Sequence, residues 1–166
     1  MGSLLAFPIV FILIMLQTTL VSQMTLLSGC ADLVLLWLAA WSLQKQVKTA
    51  WLWTLVAAVS VAFVSEVPWY ISIIGYSAVT FIARSINKRV WQSPLLVMFV
   101  VTIAGSLVIQ TLSYLSIVIE GVAIPWRTGL IEVIIPSMLL NLLFSLPIYA
   151  LVKDLAAWVY QTEDEE

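Results

Sequence analysis

The stretch SPLLVMFVVTIAGSLVIQTLSYLSIVI, residues 93–119, decides the fold class of this chain because it contains no charged side chain. A helix needs roughly 20 apolar residues, at about 1.5 Å each, to cross about 30 Å of bilayer hydrocarbon. The stretch also lacks the alternation of apolar and polar residues that marks the strands of a membrane β-barrel. It therefore predicts a transmembrane α-helix.

The composition extends this conclusion to the whole chain. Of the 166 residues, 63% are apolar and 10% are charged, whereas about 25% are charged in an ordinary soluble domain. The same composition excludes intrinsic disorder, which needs low hydrophobicity and high net charge. No face of clustered Lys and Arg suits a nucleic acid. We therefore expect one integral membrane domain over residues 1–166 and no nucleic-acid partner.

Charged residues, Pro, Gly and polar clusters divide the chain into six apolar segments. Their approximate bounds are 4–25, 31–44, 50–65, 69–84, 93–119 and 129–158. The second, third and fourth are short for a membrane span. Merging the third and fourth would bury Glu66 and Pro68, so a turn over residues 65–68 is the better assignment. We predict an all-α bundle with six transmembrane helices, and five is the alternative.

The distribution of Lys and Arg predicts the orientation in the membrane, because cytoplasmic loops are enriched in these residues. Six of the seven fall on one side of a six-span topology, and Arg127 falls on the other, together with Glu66 and Glu120. The six are Lys45, Lys48, Arg84, Lys88, Arg89 and Lys153. Both termini are then cytoplasmic. The tail over residues 161–166, whose last four residues are acidic, is expected to be solvated.

The aromatic residues agree with this orientation, because Trp and Tyr are enriched at membrane interfaces. Trp51, Trp53, Trp91, Trp158 and Tyr160 lie near the predicted inner boundary. Trp69, Tyr70 and Trp126 lie near the outer one. Trp37 is the exception, and we interpret it as a packing residue.

Polar residues inside the predicted spans are the candidates for function, because such residues are costly in hydrocarbon and are usually paired. The candidates for a helix, partner or pocket contact are Gln17, Asp32, Gln110, Glu132 and Asn141. Gln17 is expected to face another helix or a cavity, whereas the hydroxyls of Thr18 and Thr19 can return to their own helix backbone. Gln110 lies on a face of the fifth segment that can pack closely.

Two interpretations stay open for the other three candidates. Asp32 is either the N-cap of the second segment or the partner of Arg127 in a buried ion pair. Glu132 either reaches the outer headgroups or lines a pocket between helices. Asn141 either bonds to another helix or to a carbonyl that Pro136 releases, or it contacts a ligand. Pro136 and Pro147 bracket Asn141 and are expected to bend the last helix.

The missing residue types exclude most enzyme chemistry. With one Cys and no His, the chain has no internal disulfide, no His-based acid or base and no zinc site of the usual Cys/His types. It also lacks a paired-carboxylate site, a phosphate-binding loop, an arginine ladder and a membrane chain of proton carriers. We expect no enzyme, no catalytic or metal-binding residue and no cofactor. Two classes remain, a membrane interaction subunit and a small-ligand-binding membrane subunit.

Three stretches of the chain resemble the MreD family of the bacterial rod-shape machinery, the elongasome. Leu16-Gln17-Thr18-Thr19-Leu20 is similar to the family's Leu-Gln-x-Thr run in the first helix. The segment 31–36 is similar to its Pro-Asp-Leu segment, with Ala31 in place of Pro. The segment 136–149 resembles its last helix, including the mid-helix Asn and a later Pro-x-Tyr. The middle third departs, since Glu66 and Gly75 stand where the family often has a Gly-rich stretch with an Asp.

The resemblance implies a non-enzymatic scaffold in side-wall peptidoglycan synthesis and cell-shape control. The implied partner is MreC, a single-span protein, and beyond it the glycosyltransferase RodA, a class B penicillin-binding transpeptidase and the filament MreB. The family is also thought to share a fold with the substrate-binding subunits of energy-coupling-factor vitamin transporters. That similarity implies the alternative function, a small-ligand-binding subunit of a vitamin-type transporter.

Overall fold

The computed structural model describes residues 5–19, 23, 28–87, 93–122 and 125–161. Its helices are α1 (Ala6–Thr19), α2 (Leu33–Leu43), α3 (Ala50–Val64), α4 (Trp69–Asn87), α5 (Pro94–Ile119), α6 (Trp126–Thr128) and α7 (Ile135–Gln161), with a π-helical turn (Gly129–Ile134) joining the last two. These ranges contain no β-strand, which confirms the all-α class for the described part. Lys88, Arg89, Trp91 and the acidic residues 163–166 lie outside the described residues.

Three of the described helical stretches are long and apolar enough to cross a membrane. They are Trp69–Asn87, Pro94–Ile119 and Trp126–Tyr160, and the remaining helices α1, α2 and α3 are shorter and also apolar. The chain is therefore a membrane protein by the length and composition of its helices. Each of the six segments that the sequence indicates overlaps a helix, but α4 extends to Asn87 and α7 to Gln161, beyond the expected bounds of 84 and 158.

Local sequence accounts for where the helices end. Gly121 has φ +88°, and the bonds Gly121 N–H to Val118 C=O and Val122 N–H to Ile117 C=O complete a Schellman motif after α5. α3 ends at Val64 and α4 begins at Trp69, so the turn expected over residues 65–68 is present.

The helices alternate in direction. One cavity is lined by Asp32, just before α2, and by Ile71, near the start of α4. Thr18, near the end of α1, and Val64, at the end of α3, line the same cavity. A second cavity is lined by Leu43 and Asn87, at the ends of α2 and α4, and by Pro94, at the start of α5. Consecutive helices therefore begin at opposite ends of the bundle.

α2 is the centre of the bundle. All eleven of its residues are buried, and it packs against α1, α3, α4, α5 and α7. A helix that is apolar all round is expected in such a fully enclosed position.

The aromatic residues divide between the core and the surface. Trp53 is fully buried, and its ring centroid lies 4.4 Å from that of Trp41 and 6.4 Å from that of Trp37. The interfacial position predicted for Trp53 is therefore wrong, because α2 covers this side of α3. Trp37 packs in the core as expected. Among the tryptophans that the structure describes, the exposed ones are Trp51, Trp69, Trp126 and Trp158.

α4 and α5 approach closely where each has a glycine. A Cβ at Gly105 would lie 2.8 Å from Val79 Cγ2, and one at Gly75 would lie 2.8 Å from Ile109 Cγ1. Both distances are shorter than van der Waals contact, so the two glycines allow the helices to interlock. This contact aligns Ser106, beside Gly105, with the interior of the bundle, where it is buried.

Candidate functional site at the start of α2

Asp32 is the N-cap residue of α2. Its Oδ1 accepts a hydrogen bond from the Leu35 N–H at 2.9 Å, and its Oδ2 accepts one from the Tyr76 hydroxyl of α4 at 3.0 Å. The alternative ion pair with Arg127 is wrong, because Arg127 is exposed and the carboxylate is bound by α2 and α4 instead. Asp32 therefore joins the first turn of the central helix to α4.

Gln17 of α1 supplies the other acceptor for the same helix start. Its Oε1 accepts from the Leu33 N–H at 3.1 Å and from the Val34 N–H at 3.4 Å. The first four N–H groups of a helix have no acceptor within the helix itself unless the N-cap provides one. In α2, Gln17 binds the first two and Asp32 binds the next two, the fourth through its backbone carbonyl. The start of α2 is thus completely hydrogen-bonded.

Asn141 of α7 lies on the other side of Asp32. It is 1% exposed, its Oδ1 accepts from the Asp32 N–H at 2.7 Å, and its Nδ2 donates to Ser106 Oγ of α5 at 2.8 Å. Asn141 therefore bonds to other helices, and it does not use a carbonyl released at Pro136. We call the set Gln17, Asp32, Tyr76, Ser106, Ser137 and Asn141 the α2-cap network.

The segment before α2 lies along the start of α7 and brings Ser137 into the network. N–H groups two residues apart donate in turn: Ser28 to the Glu132 carbonyl at 3.1 Å, Cys30 to Ser137 Oγ at 3.1 Å, and Asp32 to Asn141. Two residues of extended chain advance about 6.6 Å, and four residues of helix advance about 6 Å. The donors on the segment therefore stay close to acceptors at residues 132, 137 and 141, which follow one another along the π-helical turn and α7.

Pro136 explains why a helix carbonyl is free to accept from this segment. A proline has no N–H, so it cannot bond to the carbonyl four residues earlier, which here belongs to Glu132. The Ser28 N–H uses that carbonyl. Pro136 is the second residue of α7, which begins directly after the π-helical turn, and Pro147 lies inside α7.

Gly29 allows the segment to lie this close to α7. A Cβ at this position would lie 2.6 Å from the Ser137 backbone nitrogen and 2.7 Å from Pro136 Cβ. Contacts below 3 Å with backbone atoms cannot be relieved by rotating a side chain. A glycine is therefore required here for steric reasons.

A groove of about 420 Å³ opens beside the network, between α1, α3, α4 and α5. We call it the α2-cap groove. Its walls are largely apolar, with Val61 and Val64 from α3 and Ile109 from α5. Its polar lining includes Gln17, Asp32, Tyr76 and Gln110. The Gln110 side chain makes no hydrogen bond with another residue in the described ranges.

The five predicted candidates separate into three groups. Gln17, Asp32 and Asn141 meet in the α2-cap network, and Gln110 lies across the groove from them. The Glu132 side chain is exposed and lines neither the network nor the groove, so only its backbone takes part. Tyr76 was not among the candidates, although a hydroxyl in an apolar helix needs a partner.

The chemistry of the site is that of an acceptor cluster rather than a catalytic centre. Both Asp32 oxygens, Gln17 Oε1 and Asn141 Oδ1 accept hydrogen bonds from protein donors. The described residues contain no group of three or more Asp, Glu, Cys or His positioned to hold a metal ion. The arrangement therefore joins α1, α2, α4, α5 and α7 into one unit.

No protein-family model, curated protein or solved structure matches this chain. Its function has to be inferred from its own residues.

Proposed function

We propose that this chain is a non-enzymatic scaffold subunit of the cell-shape and peptidoglycan elongation machinery in the bacterial cytoplasmic membrane, similar to MreD. One observation carries the proposal. The stretches that resemble MreD come from the two ends of the sequence, around Gln17 and Asp32 and around Asn141, and their polar residues meet in the α2-cap network. Polar residues inside membrane helices usually pair, and here the residues that carry the resemblance meet at a single site.

The same geometry supports six membrane crossings with both termini in the cytoplasm. Successive helices alternate in direction, and Lys45 and Lys153 lie at the same end of the bundle. Because α2 is entirely buried, its short length is compatible with a crossing that other helices enclose. The lysine-bearing end is then cytoplasmic under the positive-inside rule, and the α2-cap network lies in the outer half of the membrane.

The α2-cap groove is the proposed binding site for the transmembrane helix of a single-span partner resembling MreC. Without water between helices, membrane association depends on close packing and a few interhelical hydrogen bonds. Val61, Val64 and Ile109 offer the packing surface, and Gln110 offers an amide with no hydrogen bond to another described residue. RodA, the class B transpeptidase and MreB would be reached through that partner.

A small-ligand-binding subunit of a vitamin-type transporter remains the second candidate, because the groove volume lies in the range of about 300–1,000 Å³ usual for ligand pockets. Two observations favour the scaffold. Asp32, Glu132 and Asn141 do not converge on the groove, since Glu132 is exposed elsewhere and Asn141 lies beneath it. The oxygens of Asp32 and Gln17 are also already bonded to protein donors.

Neighbouring residues of α3 provide the test of the scaffold proposal. Val64 lines the groove and is 56% exposed, whereas Phe63 is 87% exposed and does not line it. A photo-crosslinking amino acid is placed at each position in cells that carry a tagged MreC-like protein. We expect the adduct with the tagged protein from position 64 to exceed that from position 63 several-fold.

A second pair of variants separates the two functions. We expect Val64→Trp, which fills the groove, to abolish co-purification of the single-span partner in mild detergent, and Phe63→Trp to preserve it. Equal or absent adducts at both positions would contradict the scaffold proposal. Retention of a vitamin-like ligand that Val64→Trp removes and Phe63→Trp does not would establish the transporter function instead.

A further inference from the structure

A second cavity lies at the opposite end of the bundle from the α2-cap network. Its volume is about 360 Å³, and it lies between the end of α2, the end of α4, the start of α5 and the last part of α7. Lys45 and Lys153 line it from two different chain segments. We call it the lysine cavity.

The lining of the lysine cavity is basic and polar on an apolar base. Its polar side chains besides the lysines are Gln44, Gln46, Asn87 and Tyr149, and its apolar residues are Leu43, Ile86, Pro94, Val97 and Ala157. No carboxylate is among these lining residues. Asp154, the nearest acidic residue along α7, is exposed and does not line the cavity. Among the described residues, two ammonium groups and no carboxylate line the cavity, which favours an anionic ligand.

Hydrogen bonds from α4 hold one wall of the cavity in place. Arg84 Nη2 donates to the Val47 carbonyl at 2.6 Å, and Asn87 Nδ2 donates to the Leu43 carbonyl at 3.0 Å. Both carbonyls belong to the chain at the end of α2, on either side of Lys45. The lysine is therefore presented from a backbone fixed at two points, which reduces the entropy lost on binding.

The surroundings of the cavity identify the kind of anion. One helical turn further into the bundle, Val100 on α5 and Leu146 on α7 are both more than 40% exposed, so apolar surface continues from the cavity along both helices. Basic pockets between transmembrane helices on the cytoplasmic side bind phospholipid headgroups. Lysine side chains at helix ends also extend toward the headgroup region.

We propose that the lysine cavity binds the phosphate headgroup of an anionic phospholipid. Lys45 and Lys153 contact the phosphate oxygens, and the acyl chains lie along the exposed apolar surface of α5 and α7. The inference does not depend on the partner proposed above, because the site lies at the other end of the bundle from the α2-cap groove.

The test uses the full chain in nanodiscs that contain equal parts of phosphatidylglycerol and phosphatidylcholine. The protein is extracted in mild detergent and passed through size exclusion, and the lipid that stays bound is identified by native mass spectrometry. We expect the wild type to retain phosphatidylglycerol in preference to phosphatidylcholine. The double variant Lys45→Gln/Lys153→Gln is expected to lose this lipid several-fold.

Lys48→Gln is the matched control, because Lys48 is an exposed lysine of the same loop that does not line the cavity. We expect it to retain phosphatidylglycerol as the wild type does. Equal retention by the double variant and Lys48→Gln would overturn the proposal, as would equal losses in both. Displacement of the lipid by millimolar inorganic phosphate would assign the cavity to a free anion and would also overturn it. All three lysines are exposed, so the elution profile of each variant is expected to match that of the wild type.

Discussion

Replacing Gly29 by Ala tests whether the segment before α2 has to lie directly against α7. The added Cβ would lie 2.6 Å from the Ser137 nitrogen and 3.0 Å from the Pro136 carbonyl carbon. Both are backbone atoms, so either the segment or the start of α7 has to move. That movement separates the donors at Ser28, Cys30 and Asp32 from their acceptors on α7.

The expected loss of stability follows from these contacts. Overpacking of a close contact costs about 1–3 kcal/mol, and each hydrogen bond that is broken costs on the order of 1 kcal/mol. If the clash is relieved at the lower cost of about 1 kcal/mol and two of the three hydrogen bonds are lost, the free energy of unfolding falls by about 3 kcal/mol.

Unfolding in mixed micelles with increasing dodecyl sulfate measures this loss, and fluorescence of the buried tryptophans near α2 reports it. Ser28→Ala is the control. It adds no atom and keeps the backbone donor, so its effect is expected to stay within about 0.5 kcal/mol. A Gly29→Ala protein as stable as the Ser28→Ala protein would refute the close contact between the segment and α7.

Three further predictions concern the network and the topology. Asn141→Leu leaves the part-buried Asp32 N–H without its acceptor, so we expect a loss of about 2 kcal/mol in the same assay. A double-mutant cycle that combines Asn141→Leu with Ser106→Ala is expected to give a coupling energy of about 0.6–1.7 kcal/mol. A coupling energy of zero would contradict the hydrogen bond between Asn141 and Ser106. Gln17→Leu removes the acceptor of two α2 N–H groups and is expected to lower the free energy of unfolding. Gln17→Glu keeps an acceptor, so we expect a smaller loss from it. Equal losses in the two variants would contradict the capping role of Gln17. In a background without the native cysteine, Glu66→Cys and Lys48→Cys are expected to react with an impermeant maleimide from opposite sides of the membrane, and labelling from one side would contradict six crossings.

The positions of the helices could be predicted from the sequence because their signals are local. The expected segment 93–119 became α5, Pro94–Ile119, and the expected segment 50–65 became α3, Ala50–Val64. A proline at the start of one helix and the turn at residues 65–68 mark these bounds. The hydroxyls of Thr18 and Thr19 return to carbonyls of their own helix, as predicted, because that bond depends on neighbouring residues alone.

The partners of polar and aromatic residues could not be predicted, because they depend on which helices become neighbours. Trp53 lies near one end of an apolar segment, where interfacial tryptophans are usually found. However, α2 covers the face of α3 that carries Trp53, so its side chain is fully buried. Tyr76 binds Asp32 only because α4 packs beside the start of α2. The open choice for Asp32 between a cap and an ion pair was likewise decided by packing.

The burial of α2 explains why polar residues gather around its start. All eleven of its residues are buried, so water does not reach the free N–H groups of its first turn. An unpaired backbone group there costs several kcal/mol. Gln17, Asp32 and Asn141 bind these groups, and their polar atoms are therefore used by the fold itself. Loss of function after substituting any of the three would report a misfolded α2, whereas Val64 and Gln110 line the groove outside the network, so substitutions at those two positions report on a partner.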